Sequence, residues 1–249
     1  MSTIRFNKFV LIPIIAALMI MTASCIAYRP QVVEVPLIDE KGELQVNGSV
    51  GLSAPFGDAY LGTTVTYGAT DWLAVQAHGN WNVSLGGYGQ LSAGAFKAWD
   101  KAVLEGYIGY GVGGNKWNSS KSDRHVKAMY HLPYGQVDFG WKGLANGRID
   151  VGLALKGGMI MPTVNDRQWN ETTNTYETKT TKDPVGLLEP QIFFRAGGKH
   201  LKWTMNIGYC QLWGTNGNQP FGDAAVMYMP FTINMGLSYD FNVFKKKDK

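Results

Sequence analysis

From residue 44 almost to the end of the chain, hydrophobic character alternates with a period of two. Such alternation puts every second side chain on one face of an extended strand, which a helix cannot do with the same residues. The clearest case is 201–213. Leu201, Trp203, Met205, Ile207, Tyr209, Gln211 and Trp213 share one face, and Lys202, Thr204, Asn206, Gly208 and Cys210 share the other. In 229–243 the apolar face runs from Met229 through Met235 to Val243, opposite Thr232, Asn234, Gly236, Ser238 and Asp240. In 148–159, Ile149, Val151, Leu153, Leu155 and Met159 oppose Asp150, Gly152, Ala154, Lys156 and Gly158. Faces this long and apolar would overfill one thin sandwich core while the opposite faces stayed small and polar. A barrel in lipid reverses the logic, with apolar side chains outward and polar ones in the lumen. The predicted fold is therefore all-β: a closed, antiparallel, up-and-down transmembrane β-barrel of about ten strands.

The ten strands are expected at 44–53, 59–69, 72–81, 87–97, 102–113, 128–142, 148–160, 186–197, 201–212 and 226–243. An even number brings both ends of the barrel to one side. Pro133 makes 128–142 irregular, with an expected slip of phase. Connections alternate in length. Thr70-Asp71, Trp99-Asp100-Lys101, Leu144 to Gly147 and Gly198 to His200 are tight. The segments 54–58, 82–86, 114–126, 162–185 and 214–225 are longer, as in barrels with short turns on one side and loops on the other. The longest, with Trp169 and the polar run Asn170 to Asp183, is expected to be an exposed, mobile loop.

Composition agrees. Glycine is 31 of 249 residues and charged residues are 17%, against roughly 7% and 25% in average soluble proteins. The 45% of hydrophobic residues excludes a disordered chain, and two cysteines exclude a disulfide scaffold. Residues 1–24 read as a lipoprotein signal peptide: Arg5 and Lys8, an apolar run from Phe9 to Met21, then Thr22-Ala23-Ser24 before Cys25. That apolar run is too short to span a bilayer comfortably as a helix, which takes about 20 residues. The small residues before Cys25 mark it as a lipidation site; cleavage nearby without lipidation, for example after Ala27, is the alternative. Residues 25–43, with Pro30, Pro36 and Asp39-Glu40-Lys41, read as a lipidated tether, 44–244 as the barrel, and 245–249 as a basic tail. Removing 1–24 leaves 21 basic and 19 acidic residues, too balanced to suggest nucleic acid. Cys210 then remains as a small core residue.

Charged residues on the polar faces predict a lumen network: His78, Glu105, Asp138, Asp150, Lys156, Glu189, Arg195, Lys202 and Asp240. Buried charges need partners, so mixed signs in a narrow interior predict pairing. Ten strands lie just above the eight whose side chains fill the interior, which favours a largely plugged lumen over an ion-selective pore. Trp203 and Trp213, ten residues apart on one face, span roughly 24 Å of depth in a tilted strand. With Trp72, Trp81, Trp99 and Trp141 they are expected to form an aromatic girdle. Glycines are expected where strands curve.

No HExxH, CxxC or GxSxG pattern occurs. Gly109-Tyr110-Gly111-Val112-Gly113-Gly114 lacks the helix a phosphate loop requires. His78 with a lumen carboxylate such as Glu105 could be proposed as catalytic, but the more economical role is a structural hydrogen bond. No catalytic residue, metal or cofactor is assigned, and an enzyme is not expected.

The signal ending Thr22-Ala23-Ser24-Cys25, the segment Pro36 to Leu44, and Thr70-Asp71-Trp72-Leu73-Ala74-Val75 carry a resemblance. Over roughly 25–244 the chain resembles small bacterial outer-membrane β-barrel proteins, most of all the lipoprotein barrels of Bacteroidota. Tyr239, Phe241 and Phe244 resemble their terminal aromatic assembly signal, although five residues follow Phe244. The resemblance implies a monomer, lipid-anchored in the bacterial outer membrane. Its partners would be the outer-membrane lipids and the barrel-assembly and lipoprotein-processing machinery. The function it implies is structural, or binding through the outer loops; a narrow channel is the alternative, and an outer-membrane enzyme acting on lipid or peptide the second.

Overall fold

Alternating side chains and continuous backbone pairing close this chain into a ten-strand antiparallel barrel. The computed structural model describes Tyr28 and residues 32–53, 58–82, 86–119, 123–214 and 230–244. The signal peptide, Cys25 and the basic tail lie outside the described residues. The elements are β1 (Glu43–Ser53), β2 (Asp58–Gly68), β3 (Leu73–Asn82), β4 (Gly86–Trp99), β5 (Ala102–Ser119), β6 (Arg124–Gly143), β7 (Ile149–Asn170), β8 (Thr175–Thr181), β9 (Val185–Gly197), β10 (Leu201–Tyr209), β11 (Gln211–Gly214) and β12 (Phe231–Asn242). Each of β1 to β7 pairs with the next. From there β7 pairs with β9, β9 with β10 and β10 with β12. The seam is β1 on β12, from Glu43↔Asn242 to Leu52↔Ile233. β10 and β11 are one stave interrupted at Cys210, whose N–H turns to the carbonyl of Pro230. β8 is an extra strand on the far end of β7.

Four tight connections gather at one end. Asp100, Ala145 and Asn146 take left-handed φ values there of 51°, 50° and 62°. At the opposite end β5–β6 and β7–β8 run on well past the other staves. The long loops expected over 114–126 and 162–185 are instead largely hairpin: Lys116 faces Lys127, and Arg167 faces Thr178, in regular register. Polarity there marks where the side chains leave the apolar band, not where backbone pairing stops. β6 also corrects an expectation. Its burial alternates without a slip from Val126 to Gly140. Pro133, lacking an N–H, only suspends the ladder to β7, which resumes at Tyr134↔Gly158 in unchanged register.

The outer wall is apolar. Leu61, Leu91, Ile108, Leu153, Ile192, Ile233 and Leu237 are all exposed, with Ile108 the extreme at 76%. A wrap of this size suits hydrocarbon and would be untenable in water. The inside is not simply polar: three buried apolar clusters lie along it.

Each cluster includes part of the segment read as a tether. Tyr28 belongs to the cluster at the loop end, with Val126, Val164, Val185 and Leu212. Val33, Val35 and Leu37 pack on Val103, Ala154 and Phe193, and Ile38 packs on Ala74, Phe96 and Tyr107. Tyr28 and Val32 to Ile38 are all buried. This part of the chain is therefore no free tether. It descends the lumen from the loop end to the tight-turn end, and the chain then reverses into β1.

Candidate functional site

Two places concentrate polar side chains: the filled lumen and the sheet that rises beyond it. In the lumen, side chains from all around the wall hold the backbone of the descending segment. Leu37 has a left-handed φ of 55°. That turn aims the successive N–H groups of Leu37 and Ile38 at the Glu105 carboxylate, at 2.9 and 2.8 Å. Such a concave N–H pair is an anion receptor, and here the anion belongs to the protein itself. Arg195 donates to the carbonyls of Val35 and Pro36. Gln191 accepts from Val33 N–H at 3.0 Å and donates back to its carbonyl. Gln76 and Gln136 both donate to the Glu34 carbonyl, at 3.3 and 3.0 Å. Gln45 reaches the Pro36 carbonyl at 2.7 Å, and Tyr28 Oη donates to Glu189 at 3.0 Å. Buried backbone polar groups must be satisfied. In this segment wall side chains supply partners that a neighbouring strand would otherwise give.

All nine residues of the expected lumen network are buried. Lys202 donates to both oxygens of Asp150, at 2.7 and 2.8 Å. Lys156 donates to Gln90 at 2.9 Å, lies 4.2 Å above the Tyr134 ring, and sits opposite Glu189 in register. Glu105 and Asp138 face each other across β5–β6, and Asp138 accepts from Gln136 at 2.8 Å. His78 bonds Thr64 at 2.7 Å and Asn80 at 3.4 Å. Asp240 accepts from Ser238 at 3.2 Å. Glu105, Glu189 and Arg195 therefore serve the descending segment directly.

The inward glycines of β5 have a use beyond curvature. Rings of Tyr134, Tyr88 and Tyr130 lie across Gly109, Gly111 and Gly113, and a Cβ at any of the three would overlap a ring. Tyr88 stacks on Tyr130 at 6.0 Å, and Tyr28 meets Tyr130 edge-on at 5.2 Å. The stretch Gly109 to Gly114 is a strand throughout.

All six girdle tryptophans are exposed on the wall. Trp72, Trp99, Trp141 and Trp203 lie at the tight-turn end, and Trp81 and Trp213 toward the loop end. They divide into two belts, as at the two interfaces of a membrane.

Beyond the upper belt, β5, β6, β7 and β8 continue as a four-stranded platform. On its inner side Arg124 forms a two-point pair with Asp166, one bond being 2.8 Å. Partial burial pushes the Asp166 carboxyl up, but the hydrogen bonds from Arg124 and Gln168 outweigh it and hold its pKa below the usual carboxylate value. On its outer side Lys116, His125, Lys127 and Arg167 line a shallow groove of about 360 Å³. Lys116 lies directly opposite Lys127, and His125 opposite Arg167. Arg167 also covers the Tyr176 ring at 4.1 Å, and Tyr176 Oη donates to Asp123. His125 contacts Asn118 at 3.0 Å and Asp123 at 3.4 Å. Among the described residues no group of three or more His, Cys, Asp or Glu is placed to hold a metal ion.

The sequence expectations pass over the lumenal segment and the platform. The first does leave a trace: Val33, Val35 and Leu37 alternate apolar residues in a stretch too hydrophobic for a solvated tether. The platform leaves little, because four short polar stretches become a sheet only through pairing with one another.

No family model matches the chain. No curated protein sequence matches it either. Solved structures do. The outer-membrane protease OmpT from Escherichia coli is similar over 80% of this chain and 94% of its own, at 10% identity and a TM-score of 0.54. Ail, the attachment invasion locus protein of Yersinia pestis, covers 81% of this chain at 8% identity and a TM-score of 0.33, and 99% of its own length. At 10% identity the likeness to OmpT is one of fold alone.

Proposed function

We propose that this protein is a bacterial outer-membrane barrel, occupied by its own N-terminal segment and lipidated at Cys25, that presents a basic β-sheet platform to anionic partners at the cell surface. The observation that carries the reading is the platform's outer face. Lys116 and Lys127 stand directly opposite each other just beyond the apolar wall. Like charges in that position repel. Arg167 and His125 add to the same groove. A phosphate-bearing headgroup or an acidic surface polymer would relieve the repulsion. The groove continues the lipid-facing wall upward, so headgroups are the nearest such chemistry.

The lumen supports a binding role over a channel. Tyr28 and the stretch from Val32 to Ile38 occupy the space through which solutes would pass. His78, which bonds Thr64 and Asn80 inside the wall, fits a structural role there.

The test uses the full-length protein in neutral vesicles and in vesicles containing a phosphorylated glycolipid or phosphatidylglycerol. Tighter association with the anionic vesicles than with the neutral ones, lost about tenfold or more in the Lys116→Glu/Lys127→Glu variant, supports the reading. Unchanged binding in that variant refutes it.

A further inference from the structure

We infer that the chain N-terminal to Tyr28 leaves the barrel on the loop-bearing side. An acylated Cys25 is then held in the outer leaflet, on the cell surface, and not in the periplasmic leaflet. The inference rests on the outer-membrane reading above but not on the basic platform.

Both ends of the barrel proper, Glu43 and Asn242, pair at the tight-turn end. Taken alone, that would put the preceding chain, and any anchor on it, in the periplasm. The descending segment reverses this. At its lower end Leu37 and Ile38 are pinned to Glu105, three residues above the start of β5. Just below, Asp39 bonds Lys142 at 3.0 Å and Glu40 accepts from Asn242 at 2.7 Å. At its upper end Tyr28 lies among Tyr130, Val164 and Leu212, in the loop-side halves of their strands. The nine residue steps from Tyr28 to Leu37 have a reach of about 30 Å, enough to cross an apolar band about 25 Å tall.

Cys25 lies only three residues before Tyr28. Three residues reach about 10 Å, so Cys25 can arrive at the loop-end rim but not at the other interface. Nor can the chain double back, because the clusters around Val33, Val35 and Leu37 occupy the way down. The barrel wall therefore surrounds a segment that runs along its lumen. Arg195, Gln191, Gln136 and Gln76, which grip that segment's backbone, are positioning residues for the anchor.

The test is membrane-impermeant maleimide labelling of intact cells. Single cysteines are introduced into the full-length protein by Ala27→Cys, beside Tyr28, and Ala145→Cys, in a tight turn. Wild type supplies the background, since Cys210 is buried. Heat-modifiable mobility of each variant verifies that the barrel has formed. Labelling of Ala27→Cys on intact cells, with Ala145→Cys labelled only after the outer membrane is permeabilised, supports the inference. Labelling of both only after permeabilisation overturns it, while the barrel reading stands. Labelling of Ala145→Cys alone on intact cells also overturns it, together with the orientation assumed. Incorporation of labelled palmitate tests the anchor itself: without it lipidation at Cys25 fails, and the outer-leaflet placement of that residue fails with it.

Discussion

At the scale of single residues, glycine and tyrosine work as a pair. Gly111 gives up its side chain so that Tyr88 can lie flat across β5, and Tyr88 then stacks on Tyr130. Gly48 faces outward and a Cβ there would meet nothing. The two positions should respond differently to one methyl group. Gly111→Ala is expected to cost about 1–3 kcal/mol by overpacking, whereas Gly48→Ala should stay within about 0.5 kcal/mol. Urea unfolding of the detergent-folded protein, followed by gel mobility, measures both. Equal midpoints would show that the ring can move aside. The Asp150–Lys202 pair belongs to this scale too. Asp150→Ala strands a buried ammonium and should cost about 3–5 kcal/mol in the same assay. Glycine content and the charged candidates were legible in the sequence. The ring-on-glycine contacts were not, because they join strands brought together only by register.

At the scale of elements, the descending segment and the platform hairpins are held by side chains that reach across. Replacing Glu105 with Ala would leave the N–H groups of Leu37 and Ile38 without their acceptor, at a cost of about 1–3 kcal/mol for each group left unpaired. The expected readout is brief conductance openings in planar bilayers, against none for the wild type. An equally quiet variant would show that packing alone holds the segment. In the platform the pH sign follows from Asp166. Its pKa is depressed in the folded state, so the Arg124–Asp166 pair contributes fully above the ordinary carboxylate value, about 4. That contribution is lost as pH falls through the depressed pKa. Trp169, packed edge-on to Tyr176 at 5.0 Å on β7–β8, should report loosening by fluorescence below about pH 4. In Arg124→Met this acid step should disappear; its persistence would assign the transition to other carboxylates.

At the scale of the whole molecule, the barrel joins an apolar wall, two tryptophan belts, an occupied lumen and a polar sheet at one end. The joint consequence concerns charge. Binding of the platform to anionic vesicles should weaken steeply between about 50 and 200 mM salt, because exposed charges are screened beyond roughly 10 Å at 0.1 M. A salt-independent association would point to the apolar wall instead.

Read alone, the sequence determines the strand class, the number of staves, the outward face of each strand and the side that carries tight turns. Period-two patterning encodes these directly, since one face of every strand meets one kind of solvent. Tertiary structure decided what fills the lumen, which hairpins continue past the membrane band, and on which side the chain enters. Each depends on contacts between residues far apart, such as Tyr28 with Glu189 or Arg195 with Val35. An extended strand running free and one threaded through a barrel share the same local backbone. Only the closed wall around it turns a short hydrophobic connector into the plug of the molecule.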